Sequence, residues 1–110
     1  MILVVGGSYQ GKTEFVRTEF PNAKYFNQFH LFVKKRILEG KNNSEILSEV
    51  RDTIKDGQWV IISDEIGNGI VPMDEADRTW REVCGRIMIE LAKEATEVYR
   101  VVCGIGQRIK

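Results

Sequence analysis

The sequence predicts a single α/β domain over residues 1–110, with a small, mostly parallel sheet held between helices in three layers. Two apolar runs of strand length, "ILVV" and "WVIIS", read as strands buried on both faces. Between such runs lie longer segments whose apolar residues recur at spacings of three and four, as in amphipathic helices packed on a sheet. The first run also leads straight into "GGSYQGKT", where Gly6 and Gly11-Lys12-Thr13 satisfy G-x-x-x-x-G-K-[ST].

Residues 2–5 form the first strand, bounded by Gly6-Gly7. A helix is expected from residue 12 to about 20, with Phe15, Val16 and Phe20 facing the core and Pro21 ending it. "AKYF" is a short second strand. Phe29, Phe32, Val33, Ile37 and Leu38 then fall at helical spacing, and Gly40 ends that segment. Ser44 is the expected N-cap of a third helix carrying Ile46, Leu47, Val50 and Ile54; with Leu47 three residues on, it makes no capping box. "QWVIIS" is the third strand, followed by the Gly-rich "EIGNGIVP". Asp74 or Glu75 opens a long helix to about residue 95, its inner face marked by Trp80, Val83, Cys84, Ile87, Leu91 and Ala95. "EVYRVVCGI" is the fourth and last expected strand. Strands alternating with helices call for right-handed crossovers.

Composition narrows the partners. Sixteen basic and sixteen acidic residues cancel, which removes the electrostatic case for nucleic acid or an anionic membrane surface. No stretch reaches the roughly 20 apolar residues of a spanning helix. "MILVV" lacks a basic leader, so no signal peptide is expected. Cys84 and Cys103 match no metal or redox spacing and read as reduced core residues of a cytoplasmic protein.

The glycine motif follows a strand and opens a helix, the context a phosphate loop requires. Glycines let the backbone N–H groups of residues 7–13 converge on phosphate oxygens without a Cβ in the way. The nucleotide-binding set is therefore Gly6, Gly7, Ser8, Tyr9, Gln10, Gly11, Lys12 and Thr13. The helix N-terminus adds the positive end of its dipole. Lys12 would neutralise the β- and γ-phosphates, and the Thr13 hydroxyl would take one Mg²⁺ position. A second metal-side group is supplied by "WVIISDE", a buried strand ending in acids: Asp64 for the Mg²⁺ and Glu65 as a second catalytic acid at the cleft. The expected ligand is ATP or GTP, with no base-specific motif to choose between them.

From residue 65 onward the sequence resembles the cobinamide kinase/cobinamide-phosphate guanylyltransferase family of cobalamin biosynthesis. The motifs that carry this are "EIGNGIVP" at residues 65–72, "RTWRE" at 78–82, Gly85-Arg86, "ATEV" at 95–98 and "VVCGI" at 101–105. With the phosphate loop, they cover roughly the first 20 and the last 50 residues. The resemblance implies a P-loop fold related to RecA-type ATPases, assembly as a homo-oligomer, and cobinamide as acceptor. It also implies phosphorylation of the cobinamide aminopropanol hydroxyl, followed by GMP transfer from GTP. Arg86 joins the nucleotide-binding set on this ground, as an arginine able to reach phosphate.

The family passes its guanylyl group through a histidine in a segment with R-x-x-R-P and W, which has no counterpart here. The sole histidine, His30, stands in "FNQFHLFVKKR" and reads as a packing or surface residue rather than a nucleophile. Tyr9-Gln10 replace the family's usual R-S. The expected function is thus a nucleoside-triphosphate-binding relative that keeps at most the kinase step. A non-catalytic nucleotide-binding module, or a phosphotransferase acting on another small alcohol, are the alternatives.

Overall fold

Alternate residues of the central strands belong to different cores, and this fixes the layers. In a computed structural model describing residues 1–66 and 74–110, β1 (Ile2–Gly6) sends Leu3 into one apolar cluster and Ile2 and Val4 into another. β3 (Trp59–Asp64) does the same, with Ile61 on the first side and Val60 and Ile62 on the second. Side chains alternate across a strand, so both faces of the sheet are covered.

On the first face lie α2 (Phe29–Leu38), α3 (Asn43–Ile54) and α4 (Glu75–Glu94). They contribute Phe29 and Val33, Ile46 and Val50, and Cys84, Ile87 and Leu91 to the larger core. The second face is covered by α1 (Lys12–Glu19), whose Val16 is fully buried. There Phe15 packs on Phe20 and Tyr99 with ring centroids 6.4 and 5.4 Å away.

The sheet order is β2-β3-β1-β4-β5, with β2 (Lys24–Phe26), β4 (Glu97–Val102) and β5 (Ile105–Arg108) completing it. β2, β3, β1 and β4 run parallel; β5 returns antiparallel on β4. The expected α/β class with a mostly parallel sheet is therefore observed.

Three local expectations are corrected. "EVYRVVCGI" is not one strand: Cys103 and Gly104 take φ of 51° and 76°, reversing the chain into β5. Two successive left-handed residues match the twist of a tight hairpin. The N-cap of α3 is Asn42, not Ser44. The Asn42 side chain accepts from the Glu45 N–H at 2.9 Å, and Glu45 accepts from the Asn42 N–H at 3.0 Å, closing a capping box. Cys84 is buried as expected, but Cys103 is exposed in the turn. Asp74 caps α4, accepting from the Asp77 N–H at 2.8 Å. Among the described residues, no helix is long and apolar enough to cross a membrane.

Candidate functional site: a glycine loop closed on an acidic strand end

Residues 7–11 join β1 to α1 at the edge of the sheet where β3 also ends. Gly11, the residue before α1, has φ of 84°, a left-handed conformation that any Cβ would strain. Gly6 is needed for a different reason: a Cβ there would lie 2.5 Å from the Val101 carbonyl oxygen. With glycine as cap, no side chain covers the first turn of α1. The N–H groups of Lys12, Thr13 and Glu14 have no intrahelical acceptor and stand at the positive end of the helix dipole.

Parallel pairing brings the acid to the loop. Gly6 and Asp64 are register partners across β1 and β3, and the Glu65 N–H donates to the Gly6 carbonyl at 2.9 Å. Lys12 is only 9% exposed; its Nζ donates to the Gly7 carbonyl at 2.7 Å and pairs with Asp64 Oδ1 at 2.7 Å. The other carboxylate oxygen, Oδ2, accepts from Ser8 Oγ at 2.8 Å. Burial alone would raise the Asp64 carboxyl. Hydrogen bonds from Lys12 and Ser8, with the charges of His30 and Lys12, outweigh it and hold the group below its ordinary range.

His30 is buried, as expected of a packing residue, but it packs inside this site. Its Nδ1 accepts from the Asp64 N–H at 3.1 Å, and Nε2 lies 3.4 Å from Asp64 Oδ2. An accepting Nδ1 puts the proton of the neutral ring on Nε2. Burial lowers the imidazole below its usual value; Asp64 pulls it up and Lys12 down, and burial prevails. Trp80 Nε1 donates to the His30 carbonyl at 2.9 Å, tying the start of α2 to α4. Phe29, one position earlier on the helix, points into the core instead.

Gln10 is the residue whose role the sequence did not reveal. Its side-chain oxygen accepts from the Cys103 N–H at 2.7 Å and its carbonyl from the Gly104 N–H at 2.7 Å. The loop is thereby clamped to the β4–β5 turn. Tyr9 beside it is fully exposed, with φ of 58°.

A cavity of about 460 Å³ is lined by residues 8–14, by Asn27, Gln28 and His30 around the start of α2, and by Asp64. Ser8, Tyr9, Gln10, Gly11, Lys12, Thr13 and Asp64 are thus brought together, with Gly6 and Gly7 behind them as backbone. Two expected residues lie elsewhere. Glu65 faces a neighbouring cavity, its Oε1 3.3 Å from Arg100 Nε. Arg86 is on the exposed face of α4, beside Asn43 and Leu47 of α3, and does not line the glycine-loop cavity. Cys84 and Ile87 take the inward face of α4, which turns Arg86 outward. Its placement gives no support to a phosphate contact within the chain. Of the "EIGNGIVP" motif, everything after Ile66 lies outside the described residues.

The Asp64 carboxylate and the Thr13 hydroxyl, which line one cavity, are hard oxygen donors. Among the described residues no three His, Cys, Asp or Glu side chains converge. The donor set therefore fits Mg²⁺ that takes its remaining ligands from phosphate and water, the usual habit of that ion, rather than a cation caged by protein alone.

A family model described as cobinamide kinase / cobinamide phosphate guanyltransferase matches residues 27–109. The bifunctional adenosylcobalamin biosynthesis protein CobU of Escherichia coli (strain K12) is 45% identical over 51 residues, which are 46% of this chain and 28% of that protein. The protein of the same name from Salmonella typhimurium (strain LT2) shows the same identity over the same shares. The aligned stretch thus spans little more than a quarter of these relatives. The family match begins at Asn27, after the glycine loop, and takes in α2 and α3, which the motifs quoted above did not reach.

Proposed function

This chain belongs to the cobinamide kinase / cobinamide phosphate guanyltransferase family, and on that premise we propose that it binds a purine nucleoside triphosphate at residues 6–13 and transfers the γ-phosphoryl group to an alcohol. The observation that carries this reading is the Lys12–Asp64 pair: a lysine at the mouth of a glycine loop, 2.7 Å from an acid that ends the neighbouring parallel strand. A triphosphate entering with a divalent cation would part the two. Lys12 would leave Gly7 and Asp64 for the β- and γ-oxygens, and Asp64 would turn to the cation. The fold reading that accompanies this is a P-loop nucleotide-binding domain of RecA-like type, a homo-oligomer as the family resemblance implies.

In this reading the chain works by position and charge. Backbone N–H groups of residues 7–13 and the first turn of α1 hold the phosphates. Mg²⁺ bound between Thr13, Asp64 and the phosphates would neutralise charge developing on the β- and γ-oxygens. The acceptor oxygen forms a bond to the γ-phosphorus as the bond to the β–γ bridging oxygen breaks. The nucleoside diphosphate leaves with that electron pair, and the alcohol proton passes to the acids at the end of β3, Asp64 and Glu65, or to solvent. Cobinamide is the acceptor to which the family points, and the kinase step is the one the site supports. In His30 the lone pair of Nδ1 is engaged by the Asp64 N–H and Nε2 carries the proton, leaving no free nitrogen for a guanylyl group.

Incubating the protein with γ-labelled ATP or GTP, with and without cobinamide, tests the proposal. Label on cobinamide is the expected result. Tight nucleotide retention without transfer would leave a binding module, and absence of nucleotide binding would overturn the reading altogether.

A further inference from the structure

The glycine loop rests on the end of β4 and the turn into β5. Backbone meets backbone at two points: a Cβ on Gly6 would stand 2.5 Å from the Val101 carbonyl oxygen, and one on Gly11 would stand 3.1 Å from the Gly104 Cα. Gln10 adds a side-chain tie, taking the Cys103 N–H on its amide oxygen and the Gly104 N–H on its carbonyl, both at 2.7 Å. We propose that Gln10 is a positioning residue for nucleotide binding. It locks the loop onto the turn, so that the grip on phosphate and the closure of the turn strengthen each other. The proposal rests on the nucleotide-binding reading above.

Peptide geometry is the first support. Phosphate is held by backbone N–H groups that converge on one point. In a planar trans peptide the carbonyl and the N–H of the next residue point in opposite directions. The carbonyl of Gln10 and the N–H of Gly11 belong to one such peptide. Fixing that carbonyl on the Gly104 N–H therefore turns the Gly11 N–H away from the turn. Gly11 lines the glycine-loop cavity, so the clamp sets the direction of a donor at the proposed phosphate site.

Strain supplies an independent observation. Tyr9 and Cys103 have φ of 58° and 51°, left-handed values that are unfavourable for a residue with a Cβ. Such conformations persist where neighbouring contacts over-determine them, and they gather at ligand sites. Neither side chain is packed into the core: Tyr9 is fully exposed, and Cys103 is exposed in the turn. The bonds that tie the two strained positions together run through Gln10.

Coupling between two sites is reciprocal. If opening the clamp weakens triphosphate binding by some factor, bound triphosphate makes opening rarer by the same factor. The turn itself can then report on the loop, because amides there exchange with solvent through local opening.

The test is hydrogen exchange at the Cys103 and Gly104 amides, followed by NMR with and without a non-hydrolysable triphosphate and Mg²⁺. In wild type, saturating triphosphate is expected to slow both amides about tenfold, within the usual range of coupling between sites. Gln10→Ala should bind the triphosphate about tenfold more weakly by calorimetry, and its turn amides should lose their response to ligand. A tie that serves stability alone would lower the melting temperature of Gln10→Ala and leave affinity unmoved. That outcome, or wild-type turn amides whose exchange ignores bound triphosphate, would overturn the positioning role. The wild-type measurement decides by itself if Gln10→Ala folds poorly. A wild-type protein that binds no triphosphate would instead overturn the nucleotide-binding reading on which the clamp's role depends.

Discussion

Lys12 Nζ lies 2.7 Å from Asp64 Oδ1, so the loop cation is neutralised by the acid across the sheet edge. In the proposed reading, binding a triphosphate would exchange that partner for phosphate oxygens. Lys12→Ala is expected to lower triphosphate affinity by about 100-fold, roughly 2.8 kcal/mol, with the fold intact because Asp64 keeps its Ser8 bond. Calorimetry decides it; an unchanged dissociation constant would remove Lys12 from the site.

Asp64→Asn separates the metal from the phosphates. The variant should bind triphosphate in EDTA about as well as wild type, since the loop amides and Lys12 remain. Addition of Mg²⁺ should then strengthen binding much less than in wild type. Equal losses with and without Mg²⁺ would place Asp64 outside the metal-side role.

His30→Ala removes the acceptor for the Asp64 N–H. An unsatisfied buried donor costs about 1–3 kcal/mol, so the denaturant midpoint should fall by a corresponding amount. His30→Gln, which can offer an oxygen to the same N–H, should recover part of it. Incubation of wild type with GTP should give no acid-labile, base-stable GMP adduct by mass spectrometry. Such an adduct, absent from His30→Ala, would show that the ring can free a nitrogen.

Gly6→Ala sets a methyl group 2.5 Å from the Val101 carbonyl oxygen. Backbone must shift at the junction of β1 with β4, next to the loop. The expected loss is about 1–3 kcal/mol, as for overpacking elsewhere, read as a lower denaturant midpoint with weakened triphosphate binding. Wild-type stability in this variant would mean the β1–β4 spacing is softer than the geometry implies.

The two thiols should behave differently. Burial pushes Cys84 up to about 11, whereas Cys103 sits exposed in the β4–β5 turn. At pH 8 an alkylating reagent should modify one site, Cys103, and peptide mapping identifies it. Because only the thiolate reacts, Cys84 labelling should stay negligible until the pH nears 11 or the protein unfolds. Early modification of Cys84 would indicate frequent opening of the α4 core.

Much of this was legible in the sequence for identifiable reasons. β1 and β3 are buried on both faces, so their apolar runs needed no partner to be recognised. α4 shows its inner stripe directly. The glycine motif is local, and the sequence alone singled out Lys12 and Asp64, which the structure brings to 2.7 Å of each other. What escaped depends on geometry between distant residues or on weak punctuation. The reversal at Cys103-Gly104 hides inside an apolar run; Gly104 was its one signal. Asn42 and Glu45, three apart, carry the capping-box pattern in the sequence, two positions before the serine expected there. His30 and Phe29 are neighbours in sequence, yet one faces the site and the other the core. Arg86 was assigned to phosphate on the family resemblance, whereas the inward stripe of α4 turns it away from the glycine-loop cavity; Glu65, expected as a second acid at the cleft, lines the cavity next to it.

The Gln10 clamp has a consequence for the order of assembly. Gln10 and Cys103 are 93 residues apart, and β1 itself pairs with β3 and β4, both made far later. The curvature of the glycine loop is therefore set by a turn far from it in sequence. Contacts of such long sequence separation form late and slowly. Residues 7–11 therefore reach their final curvature only when the sheet closes around them. In the proposed reading, ligand capture and completion of the sheet would be a single event.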